Sequence, residues 1–127
     1  QQLKVVAQMA RDLDFETHIL GVPTARETDG LALSSRNIFL PAKERVLAPS
    51  LYAALRRCAH DIKGGVAIEA ALDAARATLA AAGFATDYFE ARHAETLCPI
   101  ASRGEGPVRL LAAARLGKTR LIDNIAV

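Results

Sequence analysis

The chain has 127 residues, of which 51% are hydrophobic and 24% are charged, and its formal net charge is +2. This length and composition allow one ordinary hydrophobic core and exclude an intrinsically disordered protein. No apolar run is long enough to span a membrane, and the small, scattered positive charge does not favour a nucleic-acid partner. We therefore expect a globular protein without a membrane segment or a secretory signal.

Residues 1–22 carry the pattern of a helix followed by a strand. A helix over residues 3–13 is predicted by apolar side chains at helical spacing, namely Leu3, Val6, Ala7, Ala10 and Leu13. Phe15 to Val22 predicts a short buried strand that Pro23 ends. A single strand cannot make a sheet, so this segment needs partner strands that the chain does not supply. The chain is therefore expected to be part of a longer protein.

The segment Asp29–Asn37 follows that strand and combines a turn signal with groups that bind anions. Ser34 and Ser35 offer hydroxyl donors, and Arg36 offers a forked, permanently charged donor set that suits phosphate oxygens. Loops that follow strands are also where open α/β sheets bind their ligands. The alternative is structural, because Asp-Gly is a common turn and Ser-Ser-Arg-Asn can cap a following helix. From the residue types alone both interpretations stay open.

The middle of the chain predicts two helices. The first, over residues 42–63, follows from the apolar stripe at Leu47, Leu51, Leu55, Cys58 and Ile62. Pro49 lies inside it and either kinks the helix or marks its true first turn. Gly64-Gly65 ends this helix, and a second helix follows with the stripe Ile68, Leu72, Ala75, Leu79 and Ala82, ending at Gly83.

The last third changes to the two-residue period of strands. Strands are predicted over residues 86–92, 108–116 and 119–127, with a tight turn at Gly117-Lys118 between the last two. Two helices and about three antiparallel strands form a small α+β unit. Basic residues on the final hairpin (Arg115, Lys118 and Arg120) are expected to form a solvated edge. Cys58 and Cys98 are expected to be reduced and buried.

Three segments resemble the pantothenate synthetase (pantoate–β-alanine ligase) family. The first is residues 21–37, which read GVPTARETDGLALSSRN, and the others are the opening QQL and residues 112–125, AAARLGKTRLIDNI. The resemblance covers the whole chain and concerns the C-terminal portion of that enzyme. It implies an α/β fold: residues 1–37 are the C-terminal end of a Rossmann-like nucleotide-binding domain with a Ser-Ser-Arg phosphate loop, and residues 38–127 are a small α+β lid domain.

The resemblance also implies an activity and a set of binding residues. The family condenses pantoate with β-alanine at the expense of ATP, through a pantoyl adenylate, in the pathway to coenzyme A. ATP is a substrate, and its implied contacts are Leu33, Ser34, Ser35, Arg36 and, through the backbone at the adenine, Ala25. Gln2 matches the glutamine that binds pantoate. A cytoplasmic enzyme that is a homodimer when intact is expected.

Several parts of the family's site are missing from the sequence. The His-x-Gly-His signature is absent, so no catalytic residue is expected here, and His18, His60 and His93 are expected to be structural. Mg²⁺ is implied by the family, with its ligands outside this chain. The chain alone is therefore expected to be inactive without the missing N-terminal domain. The alternative is a non-catalytic α+β binding or structural module of the same ancestry.

Overall fold

The computed structural model describes all residues from Gln1 to Val127. The helices are α1 Gln2–Asp12, α2 Ala42–Leu47, α3 Ser50–Lys63 and α4 Ile68–Ala81, and the strands are β1 Phe84–His93, β2 Val108–Leu116 and β3 Thr119–Ala126. Short 3-10 helices cover Ser35–Phe39 and Arg103–Glu105. None of the helices is both long and apolar enough to cross a membrane.

The three strands form one antiparallel sheet in the order β1-β2-β3. β2 spans the predicted residues 108–116, and the turn to β3 uses Gly117, whose φ is +56°. A glycine suits this position because a side chain at positive φ meets steric strain. Ala112, Ala113 and Ala114 at the centre of β2 are almost completely buried. Their small side chains let neighbouring elements approach the middle of the sheet closely.

Helices α3 and α4 cover one face of the sheet and enclose the core. Alternate residues of β2 point toward them, as the two-residue period of a strand requires. The largest side chains of this core include Leu55 and Ile62 from α3, Leu79 from α4, Phe89 from β1 and Leu110 from β2. The prediction of a small α+β unit with two helices and three antiparallel strands is confirmed.

The helix predicted over residues 42–63 is divided in two. α2 ends at Leu47, and Pro49 immediately precedes α3 with a φ of −61°. Proline has no N–H to donate inside a helix, but its fixed φ suits a helix start, so the first-turn alternative is correct. The predicted helix ends are confirmed at Gly64-Gly65 and before Gly83.

The helix at the N-terminus is confirmed, but the strand predicted over Phe15 to Val22 is wrong. No backbone N–H from residue 16 to residue 25 donates to another backbone group, and Leu20 and Val22 are 83% and 85% exposed. A strand needs a partner for its backbone groups, and the sheet of this chain does not extend to this segment. His18 is therefore an exposed residue of an unpaired segment and not a strand residue.

The two cysteines differ in environment. Cys58 is buried in α3, whereas Cys98 is exposed. Cys98 lies in the connection that follows β1, where its N–H donates to Thr96 Oγ1 at 3.3 Å. The expectation that both cysteines are buried is thus wrong for Cys98, because this connection runs over the surface.

Candidate functional site

A cleft of about 940 Å³ brings together parts of the chain that are far apart in the sequence. Its walls include the start of α1, residues 21–24, residues 31–34, Arg36, Asn37 and parts of strands β2 and β3. Of the residues predicted to bind substrates, Gln2, Leu33, Ser34 and Arg36 line this cleft, whereas Ala25 and Ser35 do not. The start of α1 and the Ser34–Arg36 segment therefore face one shared space.

A tight hairpin leads into the Ser34–Arg36 segment. Arg26 and Ala32 form an antiparallel bridge, and Glu27 N–H donates to the Leu31 carbonyl at 2.8 Å. The turn is closed by Asp29, whose Oδ1 accepts from Leu31 N–H at 3.1 Å, beside Gly30 at a φ of +95°. Asp29 is thus a turn former, as predicted.

The Ser34–Arg36 segment combines a helix cap with unpaired donors. Ser34 Oγ accepts from Arg36 N–H at 3.2 Å and caps the 3-10 helix Ser35–Phe39. The predicted alternative of a helix cap is therefore correct for the Ser34 oxygen. The Ser34 hydroxyl hydrogen, the Ser35 hydroxyl and the Arg36 guanidinium have no partner in the protein, and all three side chains are exposed. They remain available to a ligand.

Ala25 lies opposite Leu33, at the open end of the hairpin. Its carbonyl accepts from Leu33 N–H at 2.9 Å, while its own N–H donates to no group of the protein. A free backbone N–H beside the cleft can donate to a ring nitrogen, and such a contact does not depend on the side chain.

The cleft carries a surplus of positive charge. Its lining contains a single carboxylate, Asp123, and five cationic side chains, which are Lys4, Arg26, Arg36, Arg109 and Arg120. Three of these cations form ion pairs: Lys4 with Glu95, Arg26 with Asp123, and Arg120 with Asp87. The hydrogen bond from Lys4 lowers the pKa of Glu95, and the hydrogen bond from Arg120 lowers the pKa of Asp87. Arg36 and Arg109 form no ion pair. A cleft with two uncompensated guanidinium groups suits an anionic ligand.

Arg26 and Asp123 form the most buried charged pair of the cleft. Arg26 Nη1 donates to Asp123 Oδ2 at 2.6 Å and Nη2 donates to Oδ1 at 2.9 Å. The Arg26 guanidinium also lies 3.6 Å from the centroid of the Tyr52 ring. The hydrogen bonds to Asp123 raise the pKa of Arg26, partly opposed by burial. The sequence carries no signal for this pair, because its members are 97 residues apart.

The three histidines lie in different parts of the fold. His93 Nδ1 accepts from the N–H groups of Glu95 and Thr96 at 3.2 and 3.3 Å, so it organises the turn after β1. His60 is exposed on α3, and His18 is exposed before the hairpin. No group of three or more His, Cys, Asp or Glu side chains is placed to hold a metal ion.

The family model described as pantoate-beta-alanine ligase matches residues 1–126. The chain belongs to the pantoate-beta-alanine ligase family. It is 59% identical to a pantothenate synthetase of Rhodopseudomonas palustris over 127 residues, and 58% identical to pantothenate synthetase 2 of Bradyrhizobium diazoefficiens. Each match covers 100% of this chain, and the chain spans about 45% of the length of these relatives.

Solved structures of the pantoate-beta-alanine ligase family share the fold of this chain. A pantothenate synthetase of Thermus thermophilus matches with a TM-score of 0.91 and 43% identity, over 98% of this chain and 45% of that one. A pantoate-beta-alanine ligase of Francisella tularensis matches with a TM-score of 0.65 and 26% identity, over 98% of this chain and 39% of that one. The Francisella enzyme was solved in complex with β-γ ATP and β-alanine.

Proposed function

We propose that this chain is part of an ATP-dependent ligase that condenses pantoate with β-alanine through a pantoyl adenylate. One observation carries the proposal: in a member of this family, Ser34 and Arg36 present unpaired donors at a cationic cleft, with the free Ser35 hydroxyl between them in the sequence. The Francisella tularensis relative, solved with an ATP analogue and β-alanine, supports the same substrates for this chain.

The first chemical step places the largest demand on Arg36. A pantoate carboxylate oxygen attacks the α-phosphorus of ATP, the bond from that phosphorus to the bridging oxygen breaks, and pyrophosphate leaves with the electron pair. Negative charge therefore grows on the departing oxygens. A guanidinium can meet two of them at once, and the Ser34 and Ser35 hydroxyls can donate to a third.

The remaining predicted contacts hold the substrates for that attack. The Gln2 side-chain amide both donates and accepts, which suits the hydroxyl and carboxylate groups of pantoate. The Ala25 N–H, free of any protein partner, would donate to the adenine ring. Leu33, which is 59% exposed at the cleft, would cover the nucleotide through its apolar side chain.

The second step joins the two substrates. The amine of β-alanine attacks the acyl carbon of the adenylate, the bond from that carbon to the AMP oxygen breaks, and AMP leaves as the new amide forms and the amine loses a proton. We assign no residue of this chain to accept that proton. The Mg²⁺ implied by the family does not fit the residues present, because both oxygens of Asp123 are occupied by Arg26.

These gaps make the activity a property of the longer protein. We propose that residues 1–37 end the nucleotide-binding domain, that residues 38–127 form a lid, and that this chain alone makes no product. The test compares the intact ligase with the 127-residue chain for pantothenate, AMP and pyrophosphate formed from ATP, pantoate and β-alanine. Product from the intact protein only is expected. If the intact protein forms no product, the chain is part of a non-catalytic module. If the chain alone forms product, the proposal that it needs the rest of the protein is wrong.

A further inference from the structure

The place of the Ser34–Arg36 segment at the cleft depends on the hairpin that precedes it. The hairpin runs from Arg26 to Ala32 and is closed by only a few backbone hydrogen bonds, including Leu33 N–H to the Ala25 carbonyl at 2.9 Å. An isolated two-stranded hairpin is marginally stable in water. Side-chain contacts with the rest of the molecule must therefore hold it in one position.

Arg26 supplies the contacts on one side of the hairpin. Its two terminal nitrogens donate to both oxygens of Asp123 on β3, and Nη1 also donates to the Gly30 carbonyl at 3.1 Å. The side chains of Arg26 and Asp123 are only 18% and 3% exposed. A two-point charged pair shielded from water fixes both distance and orientation.

Tyr52 completes this arrangement from α3. The Arg26 guanidinium lies 3.6 Å from the centroid of the Tyr52 ring, and a Cβ on Gly30 would lie 2.7 Å from Tyr52 Cδ1. The ring is therefore in contact with both the guanidinium and the turn. We call Arg26, Gly30, Tyr52 and Asp123 the Arg26 clamp.

A second set of contacts holds the far end of the segment. Asn37 Nδ2 donates to Glu27 Oε1 and to the Ala32 carbonyl, both at 3.1 Å. Arg45 of α2 donates to Glu27 and to Asp29, both at 2.6 Å. The Ser34–Arg36 segment is thus fixed before its first residue and directly after its last, while its own side chains stay free.

We propose that Arg26, Tyr52 and Asp123 are positioning residues that fix where Ser34–Arg36 stands in the cleft, an inference that rests on the function proposed above. Arg26 lines the cleft, but Asp123 and Gly30 accept from three of its five N–H groups and the Tyr52 ring covers one face, so we assign it to the hairpin and not to the ligand. Its effect on the reaction therefore passes through the hairpin. A displacement on the order of 1 Å at such a segment can slow chemistry about a hundredfold.

The test uses matched variants of the intact ligase in single-turnover formation of pantoyl adenylate. Tyr52→Leu, Asp123→Asn and Arg26→Lys each weaken the clamp, and Arg26→Lys keeps the charge but loses the fork. Each is expected to lower the rate constant about tenfold to a hundredfold, while the KM for pantoate stays unchanged because Gln2 lies on α1. Tyr52→Phe keeps the ring face and is expected to restore the wild-type rate.

Two further measurements separate a positioning role from general destabilisation. Arg57→Gln removes another Arg–Asp pair, with Asp61 at 2.9 Å, from an exposed site outside the cleft, and should leave the rate unchanged. The single-turnover rate constant does not depend on the fraction of folded enzyme. Hydrogen exchange of Glu27 and Leu33 N–H should be faster in Tyr52→Leu than in Tyr52→Phe.

The outcomes distinguish this inference from the proposed function. If the wild-type intact protein forms no pantoyl adenylate, the proposed function fails, while the exchange data still report on the clamp. If Tyr52→Leu and Asp123→Asn react at the wild-type rate, the positioning role is overturned, whether or not exchange accelerates. Equal losses in Tyr52→Phe and Tyr52→Leu would also overturn it.

Discussion

Arg26 and Asp123 lie 97 residues apart in the sequence, and their side chains form a two-point ion pair at 2.6 and 2.9 Å. This pair attaches the hairpin before Ser34 to the last strand of the α+β unit. Leu31 and Leu40, on either side of the Ser34–Arg36 segment, are buried in the same core as α3 and α4. The candidate phosphate-binding segment is therefore held on both sides by contacts with the α+β unit.

Replacing Gly30 with alanine should destabilise the protein for two separate reasons. The φ of +95° strains any residue with a Cβ, which costs about 1–3 kcal/mol of unfolding free energy. The added Cβ would also lie 2.7 Å from Tyr52 Cδ1 and force the ring away from the turn. Urea unfolding of the wild-type and Gly30→Ala chains measures the total loss.

Gly65→Ala is the matched control for that change. Gly65 has a φ of +96°, and a Cβ there would meet nothing within 4 Å. It should therefore show the backbone penalty alone, and Gly30→Ala should lose more stability than Gly65→Ala. If both variants lose the same unfolding free energy, the Tyr52 ring moves aside without an energetic cost, and its contact with the turn is not tight.

The two cysteines should react at very different rates with a thiol reagent. Burial raises the pKa of the Cys58 thiol to about 11, so its nucleophilic thiolate is scarce at pH 8, and the side chain is also inaccessible. Cys98 is exposed. Mass spectrometry after treatment with iodoacetamide should find modification at Cys98 only, with Cys58 modified after unfolding. Comparable modification of both cysteines in the folded protein would contradict the buried position of Cys58 in α3.

The attachment of the hairpin to α2 should weaken in acid. Hydrogen bonds from Arg45, and then from Leu31 N–H, lower the pKa of Asp29 below its ordinary value of 3.8. A carboxyl group with a lowered folded-state pKa stabilises the protein above its unfolded-state pKa, and this contribution is lost as the pH falls through the folded-state value. Stability should therefore decline below about pH 4, and less steeply in Arg45→Gln.

NMR titration of the Asp29 carboxyl checks that prediction directly. Its midpoint should lie below 3.8 in the wild type and move upward in Arg45→Gln. The shift should be partial, because Leu31 N–H still donates to Asp29 at 3.1 Å. An unchanged midpoint in the variant would show that the Arg45 contact does not persist in solution.

Backbone protection should divide the chain into an unpaired segment and a stable unit. Amides of Ile19–Val22 donate to no backbone group, whereas those of Leu110–Ala113 lie in the central strand of the sheet. Hydrogen exchange on the 127-residue chain should be fast in the first set and slow in the second. Equal protection of the two sets would mean that residues 15–22 find a partner that the structure does not contain.

Local patterns predicted the elements that depend on local chemistry. β2 was predicted from its apolar run, and the turn after it from Gly117, a residue that tolerates positive φ. Pro49 marks the start of α3 because proline has no N–H to donate inside a helix. The strand predicted over residues 15–22 failed for a different reason. An apolar run indicates that a segment can be buried, but it carries no information on whether a partner strand is present.

The parts of the site that the sequence could not predict are ion pairs between residues far apart in the chain. Ser34 and Arg36 stand out because hydroxyls and a guanidinium occur together, and they do line the cleft; their binding roles remain predictions. Asp123 gave no such signal, because a carboxylate on a strand has no identifiable partner until the chain is folded. The same holds for Arg45, whose contacts with Glu27 and Asp29 join α2 to the hairpin.

Single-turnover formation of pantoyl adenylate by Arg36→Ala tests the central claim most directly. Arg36 forms no ion pair in the protein, so its removal should cost little stability. If it binds the departing pyrophosphate, the interaction strengthens in the transition state, and its loss costs on the order of 3 kcal/mol, or roughly a hundredfold in rate, with little effect on pantoate binding. Arg36→Lys should recover only part of that rate, because an ammonium lacks the fork. A near-normal rate in folded Arg36→Ala ligase would remove Arg36 from the chemistry and leave the segment as a helix cap.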